Sequence, residues 1–263
     1  MIRVGVFGAA GRMGRTVCEA VVADPALELV AAVDPLHAGL DLRHVAQVET
    51  DLHVDPHAEA LLDAGAEVVV DFTHLDAARQ NIAFAAEHGI HAVVGTTGFS
   101  EDDLSRFAGA FTRSNCLIAP NFAIGAVLMV RFAEMAAPWF ETAEVIELHH
   151  DQKLDAPSGT ALLTIERMAA ASSHWAPDPT RTEVVPGARG AEGPAGIRVH
   201  SVRLRGLVAH QEVLFGTTGQ GLSIRHDSYD RSSFMPGVLL GVKQVAARPG
   251  LTVGLDALLF DDS

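Results

Sequence analysis

The first half of the chain alternates short apolar runs with stretches in which apolar residues recur at helical spacing. Five runs that are apolar almost throughout predict β-strands at residues 2–7, 27–33, 67–72, 91–95 and 116–120. Three stretches with the period of amphipathic helices lie between them, at residues 11–23, 76–89 and 101–113. Strands that are apolar on both faces and separated by helices indicate a parallel sheet covered on both sides.

The pattern changes after about residue 122. An apolar helix is predicted over 124–138, then a strand in "AEVIELHH" (143–150), then a helix that starts near Pro157. A loop rich in proline, glycine and alanine spans 176–197. A β-meander is predicted from three further strand-like runs, at 197–206, 209–216 and 222–229. A last helix over 235–248 is expected to return the chain to the first domain.

Two domains follow from these two patterns. We expect an α/β fold in which residues 1–123 plus 232–263 form a Rossmann-like parallel-sheet domain that binds a dinucleotide. Residues 124–231 are expected to form a second, α+β domain.

The composition narrows the function classes. The formal net charge of −14 argues against nucleic acid as a partner, because phosphate binding needs clustered lysine and arginine. Any anionic ligand therefore needs a local positive pocket. Cys18 and Cys116 show no disulfide or zinc spacing, which fits a reducing cytoplasm. No signal-peptide pattern is found, and no apolar run approaches the roughly 20 residues of a membrane span.

A glycine-rich turn follows the first predicted strand and opens the first helix. Gly8, Gly11 and Gly14 in "VFGAAGRMGR" have the spacing G-x-x-G-x-x-G, a variant of the dinucleotide-binding fingerprint. Glycines at these positions allow a tight turn, the approach of a pyrophosphate to main-chain N–H groups, and close packing of helix on sheet. The alternative is a glycine-rich turn of some other α/β fold.

An acid at the end of the second strand favours the dinucleotide interpretation. Asp34 follows "LVAAV" and can accept hydrogen bonds from the hydroxyls of the adenosine ribose. Its charge would repel a 2′-phosphate, which favours NADH over NADPH. NADPH could still bind through Arg12, His37 or Arg43.

Two other strand ends point the same way. "GTTG" (95–98) follows the fourth predicted strand and "APNFAIG" (119–125) the fifth. Ligands of open α/β sheets bind beyond the carboxyl ends of the strands, where these segments offer backbone and hydroxyl groups. Either segment taken alone could be an ordinary turn.

The segment "ELHHDQKLDAPSGTA" (147–161) concentrates the candidate chemistry of the second half. Metal binding is disfavoured, because His149, His150 and Asp151 are neighbours in sequence, and adjacent residues on a strand point to opposite faces. Proton transfer suits histidine, whose unperturbed pKa lies near neutrality.

The rest of that segment predicts an anion site. Pro157 suits a first helical turn, and the N–H groups of residues 158–160 would then form a helix start that binds a carboxylate. Lys153 and His150 would add positive charge. The plainer alternative is a capped helix that follows a polar loop.

These motifs resemble a known family. The 147–161 segment, together with "VFGAAGRMG", "DFTH", "VVGTTGF", "APNFAIGAVL" and "VHSVRLRGLVAHQEVLFG", is similar to the 4-hydroxy-tetrahydrodipicolinate reductase (dihydrodipicolinate reductase) family of bacterial diaminopimelate and lysine biosynthesis. The similarity covers essentially the whole chain and is greatest to the actinobacterial type. It implies an NAD(P)H-dependent reductase whose second domain binds substrate and joins four subunits into a homotetramer.

The resemblance also implies roles for individual residues. His149 would be the general acid/base and Lys153 a second catalytic donor. The substrate carboxylates would be held by His150, Ser158, Gly159 and Thr160. The cofactor site would be lined by Gly8, Ala9, Ala10, Gly11, Arg12, Met13, Asp34, Gly95, Thr96, Thr97, Ala119, Pro120, Asn121 and Phe122. No metal is implied. No arginine directly follows Asp34, where some members place one for the 2′-phosphate.

The reaction expected from this resemblance is hydride transfer to C4 of a cyclic dicarboxylate, with loss of the 4-hydroxyl as water and protonation at C3. Two alternatives remain at this stage. One is another two-domain reductase of a small carboxylate, such as a semialdehyde or homoserine dehydrogenase. The other is a non-catalytic protein that senses dinucleotides.

Overall fold

A computed structural model gives the structure of residues 1–260. Its strands, in chain order, are β1 (Ile2–Phe7), β2 (Leu27–Val33), β3 (Val68–Asp71), β4 (His91–Val94), β5 (Cys116–Ile118), β6 (Thr142–His149), β7 (Ala191–Glu192), β8 (Arg198–Arg203), β9 (Ala209–Thr217), β10 (Gln220–Ser228) and β11 (Leu251–Val253). Its α-helices are α1 (Arg12–Ala23), α2 (Leu42–Ala46), α3 (Ala60–Asp63), α4 (Leu75–His88), α5 (Glu101–Ala110), α6 (Ile124–Ala136), α7 (Gly159–Ala171), α8 (Met235–Gln244) and α9 (Asp256–Leu259).

The chain folds into two compact units. The first combines residues 1–122 with the chain from Arg231 onward, so that α8 belongs to the same unit as β1. The second unit is residues 123–230.

Within the described part of the first unit, six strands form one parallel sheet in the order β11-β5-β4-β3-β1-β2. The central strands are buried along their length; for β3 the exposed fraction of every residue is at most 2%. A strand covered on both faces has to be apolar throughout, which is why the continuous apolar runs locate these strands in the sequence. The predicted Rossmann-like fold is confirmed.

Local hydrogen bonds and backbone geometry fix the ends of two helices in this unit. Ser100 begins α5 with a capping box, in which its hydroxyl accepts from the Asp103 N–H at 3.1 Å and the Asp103 carboxylate accepts from the Ser100 N–H at 3.0 Å. Gly89 ends α4 with a φ of +72°. The sequence patterns did not predict β11, because its three residues are too few to show a period. Its pairing with β5 places it in the sheet.

The second sheet has the order β10-β9-β6-β8-β7, and the predicted meander is therefore wrong. Of the three strands of the predicted meander, β9 and β10 form a hairpin but β8 and β9 do not pair. Strand β6 lies between β8 and β9, parallel to the former and antiparallel to the latter. Strand β6 takes the centre of the sheet, so the chain crosses over it between β8 and β9. Consecutive strand-like runs do not reveal such an insertion.

Helices α6 and α7 cover one face of this sheet. Val145, Val199, Val213 and Phe215 point inward and pack with residues of both helices in one buried cluster. The alternation that buries these positions turns the intervening residues to the opposite face. The inward face changes from apolar to polar toward the end of β6, where the candidate site lies.

Two negative findings apply to residues 1–260. No helix there is long and apolar enough to cross a bilayer. No group of three or more histidine, cysteine, aspartate or glutamate side chains there is arranged to hold a metal ion.

Candidate active site

The glycine loop joins β1 to α1 at the carboxyl end of the parallel sheet. Gly8 has a φ of +66°, and a Cβ added at Gly14 would lie 2.0 Å from the Gly8 carbonyl oxygen. Only glycine therefore lets the loop and the first turn of α1 approach this closely. Gly11 precedes the helix without a side chain to cap it, and the first turn carries no acid. Such a helix start fits a dinucleotide pyrophosphate, which binds to main-chain N–H groups.

Asp34 lies directly after β2 and is held beside this loop. Its carboxylate accepts from the Ala10 N–H at 3.3 Å and from the Leu36 N–H at 3.1 Å, and the residue is 7% exposed. The Nδ1 atom of His37 lies 3.1 Å from the same carboxylate. The Ala10 bond links the acid to the loop, as a ribose-binding position requires.

Arg43, one of the residues considered for a 2′-phosphate, is engaged elsewhere. Its guanidinium donates to both carboxylate oxygens of Asp41, at 2.7 to 3.1 Å. This pairing ties the side chain to the start of α2.

The other candidate cofactor segments follow the neighbouring strands β4 and β5. Residues 95–97 come directly after β4, and residues 119–122 directly after β5. Because all six strands are parallel, these segments lie at the same edge of the sheet as the glycine loop. A Cβ added at Gly95 would lie 2.0 Å from the Phe72 ring, so glycine is required there too.

A buried acid that sequence reasoning does not single out organises this edge. Asp71 ends β3 at 1% exposure and accepts from the N–H and hydroxyl of Thr73 and from the Asn81 amide, each at 2.7 Å. The Thr73 carbonyl accepts in turn from the Thr96 hydroxyl at 2.8 Å. The available signal is an acid that ends the apolar run "EVVV". Asp71 thus connects the loop after β3 with the loop after β4.

In the second unit, His149 is the last residue of β6. Its Nδ1 atom lies 2.5 Å from Oε2 of Glu147, which is fully buried. Arg203 on β8 donates to both oxygens of Glu147 at 2.8 Å. A cation, a carboxylate and an imidazole are therefore joined on the inward face of the sheet.

The surroundings of Glu147 and His149 shift the pKa values of both side chains. Burial raises the pKa of Glu147, but hydrogen bonds from Arg203, Ser201 and His149 outweigh it and hold this pKa below its ordinary value. Burial lowers the pKa of His149, while the Glu147 carboxylate opposes that shift.

Lys153 lies in the turn that follows. Its Nζ atom donates to both carboxylate oxygens of Asp155 at 2.8 Å, and this bond lowers the Asp155 pKa. Lys153 is also close enough to His149 for its charge to lower the pKa of that imidazole. The second unit therefore brings His149 and Lys153 together.

His150 and the start of α7 complete the segment. The strand ends at His149, so strand alternation does not apply to His150; this exposed residue accepts from the Gln152 N–H at 3.2 Å through Nδ1. Helix α7 begins at Gly159, and the Ser158 hydroxyl accepts from the Ala161 N–H at 3.2 Å. The Ser158 N–H donates to Glu147 at 3.2 Å, which ties the helix start to β6.

Glu147 and Arg203 are the important residues that sequence reasoning missed in this unit. A period of two along "AEVIELHH" places Glu147 on the face of His149, in line with Val145. The same period along "VHSVRLR" aligns Val199 with Arg203. A charged residue at a position whose strand neighbours are core residues is the signal that could have identified both.

Comparison with known families and solved structures identifies the relatives of this chain. The family models for the N-terminus and the C-terminus of dihydrodipicolinate reductase match residues 2–122 and 125–259. The chain is 55% identical to the 4-hydroxy-tetrahydrodipicolinate reductase of Nocardia farcinica, with 98% of each chain covered. It is 54% identical to that of Thermobifida fusca, covering 98% of this chain and 99% of the other. A dipicolinate-bound dihydrodipicolinate reductase from Paenisporosarcina sp. TG-14 superposes with a TM-score of 0.85 at 40% identity, covering 97% of this chain and 98% of that one.

The fold, the site and these relatives together define an NAD(P)H-dependent oxidoreductase built from a Rossmann-like domain and a second, mixed-sheet domain. Its activity is reduction of 4-hydroxy-tetrahydrodipicolinate in diaminopimelate and lysine biosynthesis. The chain belongs to the dihydrodipicolinate reductase family, as its sequence motifs predict.

Proposed function

We propose that this chain forms tetrahydrodipicolinate with His149 as the proton donor and Lys153 as a second catalytic donor. The observation that carries the proposal is their placement. A partly buried imidazole at the end of β6 lies within electrostatic reach of an ammonium group, immediately before the start of α7. Histidine is suited to this step because it exchanges a proton near neutral pH.

The cofactor site is proposed at the carboxyl edge of the parallel sheet. NAD(P)H, when bound, supplies the hydride that is added to C4 of the substrate. The N–H groups at residues 8–13 would bind the pyrophosphate, and the Asp34 carboxylate would accept from the ribose hydroxyls. The charge of Asp34, with Arg43 engaged by Asp41, supports a preference for NADH. Residues 95–97 and 119–122 would line the nicotinamide end.

The second unit is proposed to bind the substrate and deliver the proton. The 4-hydroxyl would first leave as water together with a hydrogen from C3, which forms a C3–C4 double bond. Once hydride has been added to C4, His149 would give its proton to C3. Lys153 stabilises the negative charge that develops through the substrate. The dipicolinate bound to the Paenisporosarcina enzyme is a planar dicarboxylate, which supports a carboxylate site at His150, Ser158, Gly159 and Thr160 here.

The decisive variant is His149→Gln, which keeps a polar side chain and removes the titrating group. We expect kcat to fall about 10²- to 10⁴-fold, the usual contribution of general acid catalysis. NADH affinity, measured by fluorescence titration, should stay unchanged. His88→Gln, at the exposed end of α4, is the matched control and should keep full activity. An unchanged kcat in His149→Gln would remove this residue from the proposed mechanism.

A homotetramer is proposed as the assembled enzyme. The face of the second sheet turned away from α6 and α7 carries Ile146, Leu148, Val202 and Leu214, which are partly exposed and surrounded by charged residues. An apolar patch with a charged border is typical of a subunit interface.

The cytoplasm is the proposed compartment, and a small molecule the proposed partner. Cys18 and Cys116 are free and buried, and burial raises the pKa of the Cys18 thiol to about 12. Unpaired thiols suit a reducing environment. The net charge of −14 does not suit binding to nucleic acid.

A further inference from the structure

Glu147 is an unusual residue, because it is a charged side chain with no exposed surface in the strand that carries the proposed proton donor. Its oxygens are shared among partners on three segments. Oε2 faces His149 at 2.5 Å and accepts from Arg203, while Oε1 accepts from Arg203 and from the Ser158 N–H. A carboxylate this deeply buried is tolerated only when its partners satisfy it.

These contacts determine which nitrogen of His149 carries a proton. Arg203 keeps Glu147 ionised, and an ionised carboxylate can only accept hydrogen bonds. Nδ1 of His149 must therefore be the donor of the 2.5 Å contact. Nε2 is then the nitrogen left to exchange a proton.

The same carboxylate reaches the other functional segment through Arg203. Nη2 of Arg203 donates to the backbone carbonyl of Asp155 at 2.7 Å, and the Asp155 carboxylate holds Lys153. The Ser158 N–H, bonded directly to Glu147, fixes the start of α7. The proton donor, the lysine turn and the helix start are all tethered to one buried group.

We propose that Glu147 is a positioning residue that fixes the tautomer of His149 and, through Arg203 and Ser158, holds the Lys153 turn and the start of α7 in register. This proposal rests on the proposed function of His149. Glu147 itself takes no part in proton transfer; it makes the imidazole a better proton carrier and orients it.

A similar group on the opposite face of the same strand provides a control. Glu144 accepts from Arg189 at 2.6 Å and lies 2.7 Å from Nε2 of His200, so it too joins a carboxylate to a guanidinium and an imidazole. Its side chain is 33% exposed, and its partners are not candidate site residues. If any Glu-His-Arg group on this strand influenced catalysis, substitution of Glu144 and substitution of Glu147 would have equal effects.

The charges that face His149 set the sign of the expected change. Glu147 on β6 favours the imidazolium, whereas Lys153 in the turn and Arg203 on β8 disfavour it. Glu147→Gln removes the favourable charge of Glu147 and leaves both cations, so the pKa of His149 should fall. A general acid works in its protonated form, so activity is lost as pH rises through this pKa. The falling limb of the kcat profile should therefore move to lower pH, by about one unit for loss of a neighbouring opposite charge.

The first experiment compares kcat against pH for the wild type, Glu147→Gln and Glu144→Gln. We expect kcat of Glu147→Gln to be about tenfold lower at a pH above both pKa values, which corresponds to a shift of about one unit. Glu144→Gln should keep the wild-type profile. A Glu147→Gln profile that coincides with that of the wild type, with the His149 tautomer also unchanged, overturns the proposal, as does an equal shift in both variants.

The second experiment observes His149 directly and needs no turnover. Protein labelled with nitrogen-15 histidine is titrated by NMR, with His149→Gln used to assign the signal. The wild-type imidazole should carry its proton on Nδ1 when neutral, and this protonation should change in Glu147→Gln. A neutral His149 protonated on Nε2 in the wild type overturns the proposal even if Glu147→Gln fails to fold.

The two experiments also separate the proposals from each other. If the tautomer and pKa of His149 change in Glu147→Gln while the kcat profile does not, Glu147 positions an imidazole that is not the proton donor, and the proposed function fails. If His149→Gln loses activity but Glu147→Gln changes neither profile nor tautomer, the proposed function stands and the role of Glu147 is wrong.

Discussion

At the scale of single residues, Lys153 supplies positive charge to the candidate substrate site. It is one of only two lysines in a chain whose formal net charge is −14. Its ammonium group is held by Asp155, whose side chain is largely exposed. A substrate carboxylate that approaches Lys153 competes with this internal carboxylate. The side chain is thus restrained before substrate arrives.

Replacing Lys153 with alanine should affect binding and chemistry together, since the same residue is proposed for both. A hydrogen bond to a charged group is worth about 1.5–3 kcal/mol, so we expect KM for the substrate to rise about 10- to 100-fold. Steady-state kinetics should show a lower kcat as well. The control is Lys243→Ala, which removes the other lysine, paired with Asp24 on the first unit, at the same change in net charge. An effect confined to NADH binding would show that Lys153 serves the cofactor site and not the substrate site.

At the scale of secondary-structure elements, the proposed cofactor site at the carboxyl edge of the parallel sheet depends on the contact between the glycine loop and α1. The helix start approaches the Gly8 carbonyl so closely that no side chain fits at Gly14. This packing is the feature of the loop that spacing alone could not demonstrate, since a glycine-rich turn of another kind has the same letters.

Gly14→Ala is expected to destabilise the protein by about 1–3 kcal/mol, because overpacking forces backbone to move. NADH affinity should fall with it, as measured by fluorescence titration beside denaturant unfolding. Gly109→Ala in α5 is the matched control, since a Cβ there meets nothing within 4 Å. That substitution should stabilise the protein by up to about 1 kcal/mol through helix propensity. Equal destabilisation in both variants would contradict this account of Gly14.

At the scale of the whole molecule, the outward face of the second sheet is the surface that we propose for assembly. Its apolar centre is made by side chains that alternate with the core residues of the same strands. The period of two that packs one face against α6 and α7 therefore also supplies the apolar patch on the other.

Leu214→Glu tests the proposed tetramer, because a charge at the centre of a buried interface is costly. We expect a loss of the tetramer in light scattering coupled to size-exclusion chromatography, with the subunit still folded by circular dichroism. Leu62→Glu, on an exposed position of α3, should leave the mass unchanged. A wild-type protein that is monomeric at working concentration would refute the assembly outright.

The sequence by itself determined the parallel sheet, its helices, the glycine loop, the family, and the segment that holds His149 and Lys153. Those features depend on local periodicity and on short motifs whose residues are neighbours in the chain. Tertiary structure decided the insertion of β6 between β8 and β9, the pairing of β11, and the contact of Glu147 with Arg203, which lie 56 positions apart. Such pairings depend on which surfaces are buried against each other. No property of either segment alone specifies its partner, since a buried carboxylate is stable only once the folded chain has brought its cation to it.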